Sequence, residues 1–380
     1  MIVVFLLAKD FYTDTRVKQE VKTLISRGYN VVIISWDREC SYRSMRYSER
    51  LEIINLRMAR VSRFDPLQYV LAALLFQGYA FLKIIALLKR YGRMVVQSVD
   101  FNTLVGASIL RRVFKRRVGL VYDAHELTPA VYSEWFSEAV GKVVCAVEKR
   151  AMDNVDRVIT VNRFLARYYE SLTSSPVIVV PNFPEKKSIP RQGKGQLRSE
   201  LHLPLDRIII SFVGMLRQDY ALPELVSAAE RYYTASREKK LFFLLVGYGP
   251  LKEDIYGVIR SRGVSEIFSL REKVLKIDSL KYIKASDYSY VVLRGIGFNT
   301  RYSSPWKLFE SLACGTKLIV NGGTHAASYA RKDVDMVIDE IDEEGVFEAF
   351  LRLSGEGVPP SEDYFWERSE KELLKVYQNL

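Results

Sequence analysis

The chain has 380 residues, of which 48% are hydrophobic and 27% charged. That is more than one growing core accommodates, and no Gly, Pro or Gln tract argues for disorder, so two ordered domains are expected. The net charge of +11 calls for an anionic partner, but no zinc-finger spacing, aromatic RNA-binding strand or helix-turn-helix accompanies it; nucleic acid is set aside in favour of an anionic membrane face or a phosphorylated small substrate.

Short apolar, β-branched runs alternate with helical patterns from the first residues onward: IVVFLLA at 2–8, NVVIISW at 30–36, MVVQSV at 94–99, GLVYDAH at 119–125, DRVITV at 156–161, and 177–180. Strands separated by helices imply parallel βαβ units. The start, MIVVFLLAKDF, lacks a basic leader and a small-residue cleavage site and reads as a buried strand. Cys40, Cys145 and Cys314 are too scattered for a disulfide framework or a zinc site, which also favours a reducing, cytoplasmic location. Pro181-Asn182-Phe183-Pro184 ends the series and closes a first domain at 1–187. The stretch EKKSIPRQGKGQLRSELHLPLD has no sustained apolar period and the composition of a linker. A second series follows at 208–214, 241–247, 288–294 and 317–323, defining a domain over 188–360. At 361–380 helical spacing returns, with Ser361 as its cap.

The segment from Pro66 to Leu88, PLQYVLAALLFQGYAFLKIIALL, is of borderline length for a membrane span, and Gln68, Gln77 and Lys83 interrupt it. It reads first as a core helix and second as a helix lying in a membrane interface. The cluster Arg111, Arg112, Lys115, Arg116 and Arg117 is either a solvated helix end or a contact for anionic lipid, where each cation contributes about 1 kcal/mol. An anionic membrane surface is therefore an expected partner through Pro66–Leu88 and Arg111–Arg117.

The run from Asn299 through Ser304, Pro305, Lys307 and Glu310 to Gly315 carries the most chemistry. A loop ending in Ser304-Pro305 feeds a helix that Gly315 stops, and an open helix start suits a diphosphate. Lys307 in its first turn adds positive potential, and Glu310, one turn further on the same face, can accept hydrogen bonds from a ribose diol. Gly247-Tyr248-Gly249 alone marks only a Rossmann-type turn. His125 follows a strand beside Asp123 and Glu126, at the carboxyl end where α/β proteins place ligands. His202 reads as surface, and His325 lies where it could approach a donor. Asp333-Val334-Asp335 sits in a charged turn and is rejected as a metal site.

The Ser304–Gly315 segment resembles the donor-site signature of family 4 glycosyltransferases of the GT-B fold. Val99 to Leu104, Val121 to Glu126, Glu148 to Asn162, Val180 to Asn182, Phe212 to Gly214 and Leu245 to Pro250 resemble other landmarks of that family. The resemblance implies an α/β, GT-B architecture: two facing Rossmann-like domains, an interdomain cleft, and a C-terminal helix returning to the first domain. It implies a retaining transfer from a nucleotide-diphosphate-sugar to a glycan or lipid-linked acceptor, in envelope polysaccharide or glycoconjugate biosynthesis, with neither cofactor nor metal. In that scheme His125, Lys307 and Arg217 are catalytic. Gly214, Gly247, Gly249, Asn299, Ser304, Pro305 and Glu310 bind the donor, and Asp14, Arg16, Asp123 and Glu126 face the acceptor.

Departures qualify the likeness. Tyr302 stands where many relatives have a first glutamate, so Asn299 and the 303–306 backbone take over its contacts. The first loop, Lys9 to Arg16, lacks paired glycines, and Arg217 stands where a basic pair is usual. These favour, as a second reading, a non-catalytic GT-B subunit that binds a nucleotide-sugar or glycan. A nicotinamide enzyme is disfavoured because no GxGxxG follows the first strand.

Overall fold

A computed structural model of the chain describes all residues except Glu39, 59–65, 237–239, Ile296, Glu356 and Asn379, and except the side chains of Pro66, Leu67 and Tyr69. The chain divides into two compact units, Met1–Pro181 with Ser369–Leu380, and Asn182–Arg368. The breaks thus fall at 181/182 and 368/369, whereas composition placed them at 187/188 and 360/361.

The first unit comprises β1 (Ile2–Leu7), α1 (Thr15–Ser26), β2 (Asn30–Asp37), β3 (Met45–Ser48), β4 (Leu51–Arg57), α2 (Pro66–Tyr91), β5 (Met94–Val99), α3 (Phe101–Val113), β6 (Val118–Ala124), α4 (Thr128–Trp135), α5 (Glu138–Met152), β7 (Arg157–Thr160), α6 (Arg163–Glu170) and β8 (Val177–Val179). Its strands pair in the order β3-β4-β2-β1-β5-β6-β7-β8, parallel except for β3. β1, β2, β5 and β6 are buried almost throughout and mostly apolar, as expected of parallel strands covered by helices on both faces. The chain builds outward from β1 through β2 to β4, then restarts at β5 on the other side of β1. The switch point between β1 and β5 opens a crevice at their carboxyl ends.

α2 confirms neither expectation in full. Its Ala72, Phe76, Ala80 and Ile84 are buried in the core, with Phe76 against Trp36 at 6.2 Å between rings. The opposite face, also apolar, is exposed.

The second unit comprises α7 (Lys194–Glu200), β9 (Ile208–Met215), α8 (Leu222–Ala235), β10 (Leu241–Tyr248), α9 (Lys252–Ser261), β11 (Phe268–Arg271), α10 (Lys276–Ala285), β12 (Tyr288–Val291), α11 (Phe298–Tyr302), α12 (Trp306–Cys314), β13 (Lys317–Asn321), β14 (Met336–Ile338) and α13 (Glu343–Leu351). Its sheet order, β11-β10-β9-β12-β13-β14, repeats the same plan, with the switch point between β9 and β12. The stretch expected to be a linker is instead packed structure. α7 buries Leu197, and Arg198, only 6% exposed, bonds the carbonyl of Ala285 at 2.9 Å and the carboxylate of Asp287 at 2.5 Å. The polar composition misled because the helix is held by a buried ion pair more than by an apolar stripe.

The last helix, α14 (Trp366–Tyr377), starts in the second unit and continues in the first. Ser361 caps a preceding 3-10 turn, accepting from the Asp363 amide, not α14 itself.

Candidate active site

In the first unit, the crevice between β1 and β5 is lined by charge. Lys9, after β1, meets Asp14 at 2.9 Å and Asp100, after β5, at 2.8 Å. Asp100 also faces His125 Nδ1 at 3.5 Å, and His125 Nε2 meets Asp123 at 3.0 Å. Burial alone would depress His125, but the carboxylates of Asp123 and Asp100 outweigh it and raise the imidazole to about 9. His125 is therefore held as an imidazolium with both nitrogens turned to carboxylates, a donor and an orienting cation rather than a base at neutral pH.

Beneath His125 lies a sealed network. Asp123 accepts from Arg16 at 3.3 Å and from Gln97 at 3.0 Å, while Gln97 also donates to Glu20 at 2.7 Å. Tyr377 of α14 donates its hydroxyl to Gln97. Burial and the neighbouring Asp123 charge push Glu20 up to about 8; for Asp123, burial is outweighed by His125 and Arg16, which hold it below the usual carboxylate range.

The acceptor-side group thus divides. Arg16 and Asp123 are 3% and 0% exposed and spend their atoms on each other, on His125 and on the Val180 carbonyl. Both lie beneath His125, where Asp123 meets its Nε2. Asp14 caps α1 through the Val17 amide at 3.0 Å and pairs with Lys9, and Glu126 is exposed. Sequence reading missed Lys9, Glu20, Gln97, Asp100 and Tyr377 as members of this cluster. Asp100 is the one with a local sign: it holds φ +60°, a conformation rare for a side-chain-bearing residue and concentrated at functional sites.

In the second unit, Lys307 lies in the first turn of α12 beside the carboxyl end of β9. It is 6% exposed, and its ammonium has no hydrogen-bond partner among the described residues. Nζ lies over the rings of Phe212 and Tyr220, at 3.3 and 3.7 Å from their centroids. Burial, and then the charge of Arg217, depress its pKa well below the ordinary lysine value. Gly214 supplies the space: a Cβ there would stand 3.2 Å from Nζ.

The remaining donor-side residues gather at the same edge of the sheet. Arg217 is half-exposed and pairs with Asp219 at 2.7 Å. Glu310 is buried one turn beyond Lys307 and is ion-paired with the half-exposed Lys276. Pro305 is the N-cap of α12, whose amide end carries no side-chain cap; Ser304, just before it, is buried. Asn299 is in α11 on the loop after β12, and Leu293 of that loop bridges to Tyr220 in the loop after β9. Gly247 and Gly249 serve the backbone: φ is +156° and +146°, and added Cβ atoms would fall 1.8 Å from the Gly214 carbonyl and 2.3 Å from that of Leu216. His325 has been pushed down to about 4 by burial. Asp335 is committed to Arg331 and to the Leu318 amide in β13, a structural ion pair.

The fold and these two switch-point clusters define the class. The structure superposes on the GT-B sucrose-phosphate synthase of Thermosynechococcus elongatus with a TM-score of 0.75 at 16% identity, covering 99% of this chain and 95% of that one. It also superposes on a UDP-forming α,α-trehalose-phosphate synthase of Burkholderia xenovorans in complex with glucose-6-phosphate, with a TM-score of 0.63, 12% identity, and coverage of 99% and 96%. The chain is a GT-B protein, and the profile of Glycosyltransferase Family 4 matches its residues 14–184. A curated relative, the colanic acid biosynthesis glycosyl transferase WcaI of Escherichia coli, described as putative, is 27% identical over 130 residues, which is 33% of this chain and 31% of the relative. The match therefore spans about a third of that protein's length.

Proposed function

We propose that the chain is a glycosyltransferase that moves a sugar, with retention, from a nucleotide-diphosphate-sugar to a glycan or lipid-linked acceptor in polysaccharide or glycoconjugate biosynthesis. It would act in the cytoplasm, at the inner face of the cell membrane. The observation that carries this reading is Lys307, whose amine is buried with no hydrogen-bond partner among the described residues at the carboxyl end of β9. Leaving such a group unpaired is unfavourable, and a diphosphate would supply both charge and hydrogen bonds. The family match, the resemblance to WcaI and the UDP-forming neighbour support a nucleotide-sugar donor.

The second unit holds the donor's nucleotide and diphosphate; the first holds the acceptor. As the bond from the anomeric carbon to the diphosphate oxygen breaks, Lys307, Arg217 and the first amides of α12 stabilise the charge left on phosphate. The acceptor hydroxyl oxygen bonds to the anomeric carbon on the face the diphosphate leaves, and its proton passes to a phosphate oxygen. No protein base is needed, in keeping with an imidazolium at His125 that orients rather than deprotonates. These cations replace a divalent ion, and no cofactor takes part.

Transfer from labelled nucleotide-sugars by the purified protein, in excess chelator, tests this. Activity should persist with chelator and fall by about 100-fold or more in Lys307→Ala. Donor binding without product in any acceptor mixture would favour the non-catalytic subunit instead.

A further inference from the structure

We propose that the outward faces of α2, α3 and α5 form a lipid-docking surface that lays the first unit on an anionic bilayer and presents its carboxyl-edge crevice to an acceptor anchored there. This deepens the acceptor assignment above and rests on it only for the nature of the acceptor.

Exposed Val70, Leu71, Leu74, Leu75 and Leu82 fall on one side of α2, opposite the stripe that packs into the core. A Cβ on Gly78, between them, would meet nothing. α2 packs against α3, and α3 against α5. α3 adds exposed Ile109 and Val113, and α5 adds Val140, Val143 and Val147 at helical spacing. Such a breadth of exposed aliphatic side chain marks an interaction surface. Trp135, 44% exposed at the end of α4, is the residue type that settles at bilayer interfaces.

The window Val70–Tyr91 is long and apolar enough to cross a membrane. Crossing would tear Phe76 and Ile84, 1% and 0% exposed, from the core, so α2 lies along a surface rather than through one.

Charge selects lipid as the occupant. The first unit has 29 Lys and Arg against 19 Asp and Glu, net +10, while the second has 27 against 26, net +1. α2 and α3 contain no acidic residue. Exposed Lys89, Arg90 and Arg93 end the first, and Arg112, Lys115 and Arg116 the second. Arg111 and Arg117 are occupied elsewhere, by Asp156 and by the Gly92 and Leu88 carbonyls, so only part of the basic cluster is available. Two copies of this face brought together would oppose cation to cation; anionic headgroups would neutralise them. The apolar residues of α2 lie in its first two-thirds, toward the carboxyl edge where the Lys9–His125 crevice opens.

The test is flotation of the full chain with vesicles of phosphatidylcholine, with and without phosphatidylglycerol. The protein should float with anionic vesicles. Leu71→Glu with Leu75→Glu should cut partitioning by about tenfold or more, as should Val143→Glu as an independent variant, with unchanged circular dichroism. Arg112→Glu with Lys115→Glu and Arg116→Glu should abolish the preference for anionic lipid. Failure to float with either vesicle, variants that float like the parent, or a lipid-free dimer that the Leu71/Leu75 variant converts to monomer would each overturn the proposal. Thermal stabilisation by soluble nucleotide-sugars, read on the same preparation, separates the two ideas: stabilisation without flotation defeats only the surface, and flotation without stabilisation defeats only the transferase reading.

Discussion

Lys307 is the residue on which stability and function pull apart. Its side chain fills space among Phe212, Tyr220 and Gly214, yet its nitrogen gains no hydrogen bond there. Lys307→Met keeps the volume and removes the buried polar atom. It should melt at or above the parental temperature while nucleoside-diphosphate affinity falls by about tenfold or more; a large loss of stability would mean the amine is structural. His125 behaves in the opposite sense. Its folded pKa of about 9 exceeds the ordinary 6.5, so its contribution to stability is full below 6.5 and fades as pH rises through 9. His125→Gln should therefore lower Tm more at pH 6 than at pH 10. An equal gap at both would show that the two carboxylates do not hold the imidazolium.

At the scale of elements, the central strands were legible because parallel strands buried on both faces read as continuous apolar runs; β1, β5, β9 and β10 lie within a residue of expectation. The edge strands β3, β11 and β14, and β4 beside β3, were not: the edge strands have only three or four residues, and MRYS and LEIINLR carry no continuous run. α7 was hidden by its polar residues. Lys307, Glu310 and Gly315 could be placed on one helix from spacing alone. The links from Gln97 to Asp123 and from Tyr377 to Gln97 could not, since they join residues 26 and 280 positions apart. The paired glycines at the ends of β9 and β10 belong to this scale. Gly247→Ala would drive a methyl into the Gly214 carbonyl at a φ of +156°, costing about 3 kcal/mol and lowering Tm by about 8 °C. Gly257→Ala, in α9 with nothing near its Cβ, should leave Tm unchanged or raise it slightly. Equal tolerance at both sites would show that the close approach of the two strand ends is not enforced.

For the whole molecule, each unit presents the carboxyl edge of its sheet at a switch point, and each presents a different charge chemistry there. The first offers a carboxylate-held imidazolium with Lys9; the second offers a lysine with no hydrogen-bond partner among the described residues, beside Arg217 and a helix start without a side-chain cap. The excess positive charge sits almost wholly in the first unit. The assignment of the donor to the second unit is tested most directly by a crystal structure of the protein with a nucleoside diphosphate. The account predicts phosphate oxygens within hydrogen-bonding distance of Lys307 Nζ and the first amides of α12; a diphosphate bound elsewhere, with Lys307 still unpaired between Phe212 and Tyr220, would contradict it.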